Sequence, residues 1–144
     1  MKATGSDGGV CSRRIRGYLL VLPGRSDGGY ALHSLEALTV HDAVVPEVWA
    51  FEVANNIFVS HRRRKRINEQ QVAEYLTLLQ ALPIRVESQP LWANLGLEAF
   101  ARRWDMAAYD AAYLELALRK GLPLATTDGV LKEKARAAGV LIFA

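Results

Sequence analysis

From Tyr30 onward the apolar positions fall into two patterns, short unbroken runs and spacings of three to four residues, the marks of buried strands and of helices. Ala31, Leu32, Leu35 and Leu38 predict a short helix, and Ala43–Val45 a short buried strand. Pro46 suits the first turn of a helix that continues through Val48, Trp49, Phe51, Phe58 and Val59 to the basic cluster His61–Arg66. Basic residues in a last turn complement the helix dipole. Asn68 is a plausible N-cap for the next helix, which carries Val72, Tyr75, Leu76 and Leu79 on its buried face. Ile84–Val86 reads as a strand, then Leu91–Trp104 and Ala107–Lys120 as two helices, the second closed by Gly121. Leu124–Thr126 is a further strand, Gly129–Ala138 a helix ended by Gly139, and Val140–Phe143 a final strand. Strands alternating with helices predict an α/β fold with a mostly parallel central sheet flanked by helices.

The leading segment has a different texture. Residues 1–29 hold seven of the 11 glycines and offer one apolar run, Tyr18–Leu22, ahead of a Pro23-Gly24 turn signal. The chain therefore divides into an atypical Gly/Arg-rich segment, 1–29, and a periodic domain, 30–144. The net charge of +3 comes from that segment: five basic residues there face Asp7 and Asp27, leaving 13 basic and 13 acidic residues beyond. Global charge is thus no sign of nucleic-acid binding, and only local patches could be. A single cysteine, Cys11, excludes an internal disulfide. No apolar run approaches the roughly 20 residues of a membrane span, and Tyr18–Leu22 is short for a signal peptide. A cytoplasmic protein with no membrane association is expected.

Three acids stand out by their surroundings. Asp128 follows the strand Leu124–Thr126, at the edge where open parallel sheets bind ligands, although taken alone a plain strand-to-helix junction with Thr or Asp as N-cap is the better reading. Asp110 lies in the first turn of its helix among small and apolar neighbours; the helix dipole alone favours an acid there. Glu52 interrupts the apolar stretch Val48–Ile57 and shares a polar stripe with Asn55 and Asn56. The cluster Arg62, Arg63, Arg64, Lys65 and Arg66 is a candidate phosphate contact, or simply a solvated helix end. Trp49, Trp92 and Trp104 could stack on bases, with core packing the better expectation for all three.

Taken together, Val45-Pro46-Glu47-Val48-Trp49 to Glu52-Val53-Ala54-Asn55, Tyr109-Asp110-Ala111-Ala112-Tyr113-Leu114 and Leu122-Pro123-Leu124-Ala125-Thr126-Thr127-Asp128 follow the order and spacing of a known family. From about Tyr30 to Ala144 the chain resembles a PIN-domain ribonuclease of the VapC-like toxin type. The resemblance implies a three-layer PIN-like fold and a metal-dependent endoribonuclease acting on RNA. It also implies restraint by a cognate antitoxin and frequent homodimerisation. Glu52, Asp110 and Asp128 match three of the family's acidic metal-site positions for Mg²⁺ or Mn²⁺. Asn55 matches a polar position near the first acid, and Thr126 or Thr127 the hydroxyl beside the last.

The pattern departs from the family at its start. Members begin with an apolar strand ending in an Asp, whereas Tyr18–Leu22 is followed by Pro23-Gly24-Arg25-Ser26 without an acid. The N-terminal strand is thus expected to be atypical or missing. A frame-shifted start and a diverged one both account for the change in texture. Reading the gene in its other two frames separates them, because only the first yields an apolar strand ending in Asp. Two functions stay open, an active ribonuclease and a catalytically impaired PIN-like protein acting through antitoxin or subunit binding. A DNA-binding regulator is disfavoured by the lack of a recognition-helix pattern.

Overall fold

The computed structural model describes residues 17–20 and 42–143. In chain order the elements are β1 (Gly17–Leu20), β2 (Asp42–Pro46), α1 (Val48–Phe58), α2 (Glu69–Ala81), β3 (Ile84–Glu87), α3 (Leu91–Leu95), α4 (Leu97–Trp104), α5 (Ala108–Lys120), β4 (Leu124–Ala125) and α6 (Gly129–Ala137). The strands form one sheet in the order β3-β2-β1-β4, and every neighbouring pair is parallel. Strands that run the same way need crossovers: α1 and α2 connect the neighbours β2 and β3, and α3 to α5 lead from β3 at one edge to β4 at the other. The α/β expectation holds at this level.

The leading segment supplies a central strand. Leu19 of β1 lies opposite Val44 on one side and Leu124 on the other. Of the two alternatives, an atypical or a missing N-terminal strand, the structure excludes the second: the apolar run forms a strand, as a position between two parallel neighbours requires. Val21, Leu22, Asp7, Asp27 and the helix expected over Ala31–Leu38 lie outside the described residues.

Most boundaries agree with the periodicity to within a residue, and the larger or more telling differences are these. Pro46 ends β2 rather than opening a helix, and its ring costs β2 no hydrogen bond that the end of a strand needs. The stretch expected as one helix from Leu91 to Trp104 breaks at Gly96, where low helix propensity lets a turn separate α3 from α4. Thr126 lies one residue past β4. The final strand contracts to a parallel bridge between Leu124 and Ile142, held by Leu124 N–H to the Leu141 carbonyl (2.8 Å) and Phe143 N–H to the Leu124 carbonyl (2.9 Å).

The core is built around α5 and the sheet. Tyr113, Leu114, Leu116 and Ala117 of α5 are buried against Ala43, Val44 and Val45 of β2, Leu124 and Ala125 of β4, and Leu131 and Ala135 of α6. Each large side chain removed from water here contributes about 2 kcal/mol. Gly121 closes α5 at φ 62°, a left-handed conformation that glycine adopts without Cβ strain. Lys134 ties α6 to the end of α4, its Nζ donating to the Trp104 and Asp105 carbonyls at 2.6 and 2.7 Å.

Helix α2 is less buried than its pattern predicts, for Val72, Tyr75 and Leu79 are half-buried and Leu76 is exposed. The three tryptophans also divide. Trp49 is buried and Trp104 half-buried, but Trp92 is 78% exposed, which corrects the core expectation for that residue. The buried Trp49 indole N–H has no hydrogen-bond partner among the described residues. An unmet donor of this kind costs about 1–3 kcal/mol.

Candidate functional site

In a parallel sheet, each strand's carboxyl end and the N-terminus of the helix after it lie at the same edge. Glu52 is in the second turn of α1, directly after β2. Asp128 follows β4 and caps α6. Asp110 is in the first turn of α5, the helix that descends to β4, so its N-terminus also lies at that edge. Residues up to 76 positions apart in sequence are thereby delivered to one edge by topology alone.

Their electrostatics report the proximity. Glu52 and Asp110 are both half-buried. Burial raises the Glu52 pKa; a hydrogen bond from Tyr113 works against this, and the charge of Asp110 raises it further. Burial also raises the Asp110 pKa, and the charge of Asp128 adds to it. Asp110 is therefore the middle member of a row of three acids. None of the four ion pairs among the described residues involves them; these pairs join Arg102 to Glu98, Arg119 to Glu87 and Glu115, and Lys120 to Glu87.

Each acid is held differently. The buried Tyr113 donates its hydroxyl to Glu52 Oε2, and burial, this hydrogen bond and the neighbouring Glu52 charge push the phenol's own pKa strongly upward. Asp128 is exposed, and its carboxylate accepts from Leu131 N–H at 2.8 Å, so the N-cap reading is correct for it. Thr126 is buried, and its Oγ1 accepts from Asp128 N–H at 3.1 Å, setting the backbone from which that acid projects. Thr127 is half-buried, and Asn55 is exposed on α1 one turn after Glu52.

Tyr113 is the site residue that sequence reading passed over. Its spacing carried the signal, since three residues after Asp110 places it on the same side of α5. Among the described residues, no group of three or more His, Cys, Asp or Glu side chains converges closely enough to hold one ion. The acids thus form a row rather than a closed cage. Any one ion here would meet at most two of them, and a hard divalent cation would need water or substrate oxygens for the rest of its shell.

The basic cluster lies elsewhere. Val59–Arg63 continues α1 as a wider helical turn, and Arg62, Arg63, Arg64, Lys65 and Arg66 are exposed around its end. Among the described residues, no helix is long and apolar enough to cross a membrane.

No family model matches the chain, and no curated protein matches it. Among solved structures it is similar to the crystal structure of PAE2754 from Pyrobaculum aerophilum, with a TM-score of 0.58 and 22% sequence identity. The match covers 78% of this chain and 74% of that one. At such identity the likeness is one of fold.

Proposed function

We propose that the protein is a metal-dependent endoribonuclease with the three-layer PIN-like fold, the toxin member of a toxin–antitoxin pair. The observation that carries this reading is the row of Glu52, Asp110 and Asp128 at the carboxyl edge of the sheet, the first two half-buried and raised in pKa. Half-buried acids beside one another are unfavourable without a positive partner, and a divalent cation relieves that cost. Asp110, together with Glu52 or Asp128, would hold Mg²⁺ or Mn²⁺ through oxygen ligands. When bound, the ion supplies an acidified water and a counter-charge for in-line attack on an RNA phosphodiester.

The chain's own residues would position the rest. Tyr113 occupies Glu52 Oε2, leaving Oε1 to accept a hydrogen bond or proton from water. A carboxylate with a raised pKa is a better base near neutral pH. Thr126 steadies Asp128 through its backbone, and Asn55 and Thr127 are polar groups available near the first and last acids.

The test is RNA cleavage with Mg²⁺ or Mn²⁺ by this chain and by Asp110→Asn. Chelator-sensitive cleavage that falls at least 100-fold in the variant is expected, in line with the loss of an electrostatic catalytic group. Equal rates would sink the enzymatic reading.

A second reading, a catalytically impaired PIN-like protein that acts by binding an antitoxin or a second copy, has its own support. The acids form no closed three-ligand cage among the described residues. In addition, an open groove of about 620 Å³ is lined by Val48, Leu97, Phe100, Tyr109 and Leu116 and does not include the three acids. A stable complex with the product of a neighbouring small gene, without cleavage by the free chain, would favour this reading.

A further inference from the structure

Helix α1 carries an exposed stripe that the acid site does not use. Phe51, Asn55, Phe58 and Arg62 are spaced by four, three and four residues, which aligns them on one side of the helix and its continuation. Phe51 is 75% exposed and Phe58 51%, and Asn55 and Arg62 are exposed with them. A lone exposed aromatic is ordinary. Two on one stripe are less so, because the stripe starts in the same helical turn as Glu52, on a different side of the helix, and ends in a basic groove. From Phe51 to Arg62 is roughly 16 Å of helix.

The groove has a consistent chemistry. It has a volume of about 540 Å³ and includes His61, Arg62, Lys65, Arg66, Asn68 and Gln71 in its lining, with no carboxylate. None of its cations takes part in an ion pair among the described residues. The chain turns back over it through Arg66 N–H to the Ser60 carbonyl (2.9 Å), and Lys65 adopts a left-handed φ of 48°. Such a backbone is uncommon for a residue with a Cβ. Asn68 Oδ1 accepts from Gln71 N–H at 2.8 Å, and Gln71 Oε1 accepts from Asn68 N–H at 2.9 Å. The oxygen ends of both amides are therefore occupied, and their NH₂ ends remain as donors. Glu69, the acid in the first turn of α2, is not among the lining residues. Cations and donors without acceptors specify an anion.

We propose that this stripe and groove form a track for single-stranded RNA, with Phe51 and Phe58 stacking on bases and Arg62, Lys65 and Arg66 holding backbone phosphates. The combination of aromatic platforms with a basic channel is the general means of gripping a single strand without reading its sequence. The proposal rests on the ribonuclease reading for the choice of RNA, and it deepens that reading by giving the strand a path away from the acids.

The experiment measures fluorescence anisotropy of a labelled single-stranded RNA with the Asp110→Asn chain in chelator, so that binding is read without cleavage. Arg62→Gln combined with Arg66→Gln should lower the slope of log affinity against log salt by about 1.4, two phosphate contacts on a single strand. Phe51→Ala and Phe58→Ala should each weaken binding about tenfold without altering that slope. Circular dichroism melting of every variant checks that the fold is retained. Unchanged affinity and slope in both sets would overturn the track. So would competition by millimolar inorganic phosphate that fully displaces the RNA at constant ionic strength, which marks a site for a lone anion. Loss of self-association in the Phe variants with RNA binding intact would make the stripe a subunit interface and likewise overturn it. An inactive wild-type chain whose track variants bind RNA more weakly leaves the track standing and removes only the cleavage reading.

Discussion

At the scale of single residues, Glu52 and Asp110 set function against stability. Burial and a neighbouring acid raise both pKa values above their ordinary range near 4, so the folded chain holds those protons more tightly than the unfolded one. The stability they contribute is fully present below the unfolded pKa and is lost as pH rises through the raised folded pKa. At neutral pH the ionised pair is a burden on the metal-free fold. Asp110→Asn removes one charge from the row and with it the smaller of the two influences that raise Glu52, burial being the larger. The variant is therefore expected to melt above wild type at pH 7 in chelator, with the difference shrinking as pH falls toward 4. Thermal melts across that range check it, and a variant less stable than wild type at pH 7 would show that Asp110 is held by favourable contacts. Tyr113 moderates the same burden, because its hydroxyl donates to the ionised form of Glu52.

At the scale of elements, the turn between α1 and α2 is the best-defined junction around the basic groove. Asn68 and Gln71 satisfy each other's backbone N–H groups in a reciprocal cap, so the first turn of α2 is fixed by its own sequence. This helix buries no residue fully and draws little on the core, which makes it depend more on its cap. Asn68→Ala should cost about 1 kcal/mol in chemical denaturation, at the typical worth of such a cap. A loss below about 0.3 kcal/mol would mean that packing of Val72, Tyr75 and Leu79 sets the start of α2 instead.

At the scale of the whole molecule, the parallel sheet brings together acids that the chain keeps far apart. If the row binds a divalent ion in the folded state alone, saturation should stabilise the whole domain. Excess Mn²⁺ at about 100 times its Kd would add about 2.7 kcal/mol, several degrees in melting temperature for a chain of this size. Wild type should show this shift, and Asp110→Asn should show much less of it. Equal shifts in the two proteins would place the metal away from Asp110.

Much of this protein could be read along the chain. Apolar spacing located α1, α2, α5 and α6 to within a few residues and read α3 and α4 as one helix, because a helix or strand must keep its buried positions on one face. Asn68 and Gly121 were recognisable as caps because their chemistry is local. Glu52, Asp110 and Asp128 were visible as candidates from their order and surroundings. Other features depended on contacts between distant segments. Gly17–Leu20 reads alone as a short apolar run in a glycine-rich segment, and only pairing with β2 and β4 makes it a central strand. Tyr113 has the spacing of a core residue, and its partnership with Glu52 crosses 61 positions. Trp92 has the composition of the core but sits on a short helix that leaves it in solvent. Local chemistry determined where elements begin and end, whereas the crossover topology of the sheet decided which side chains meet.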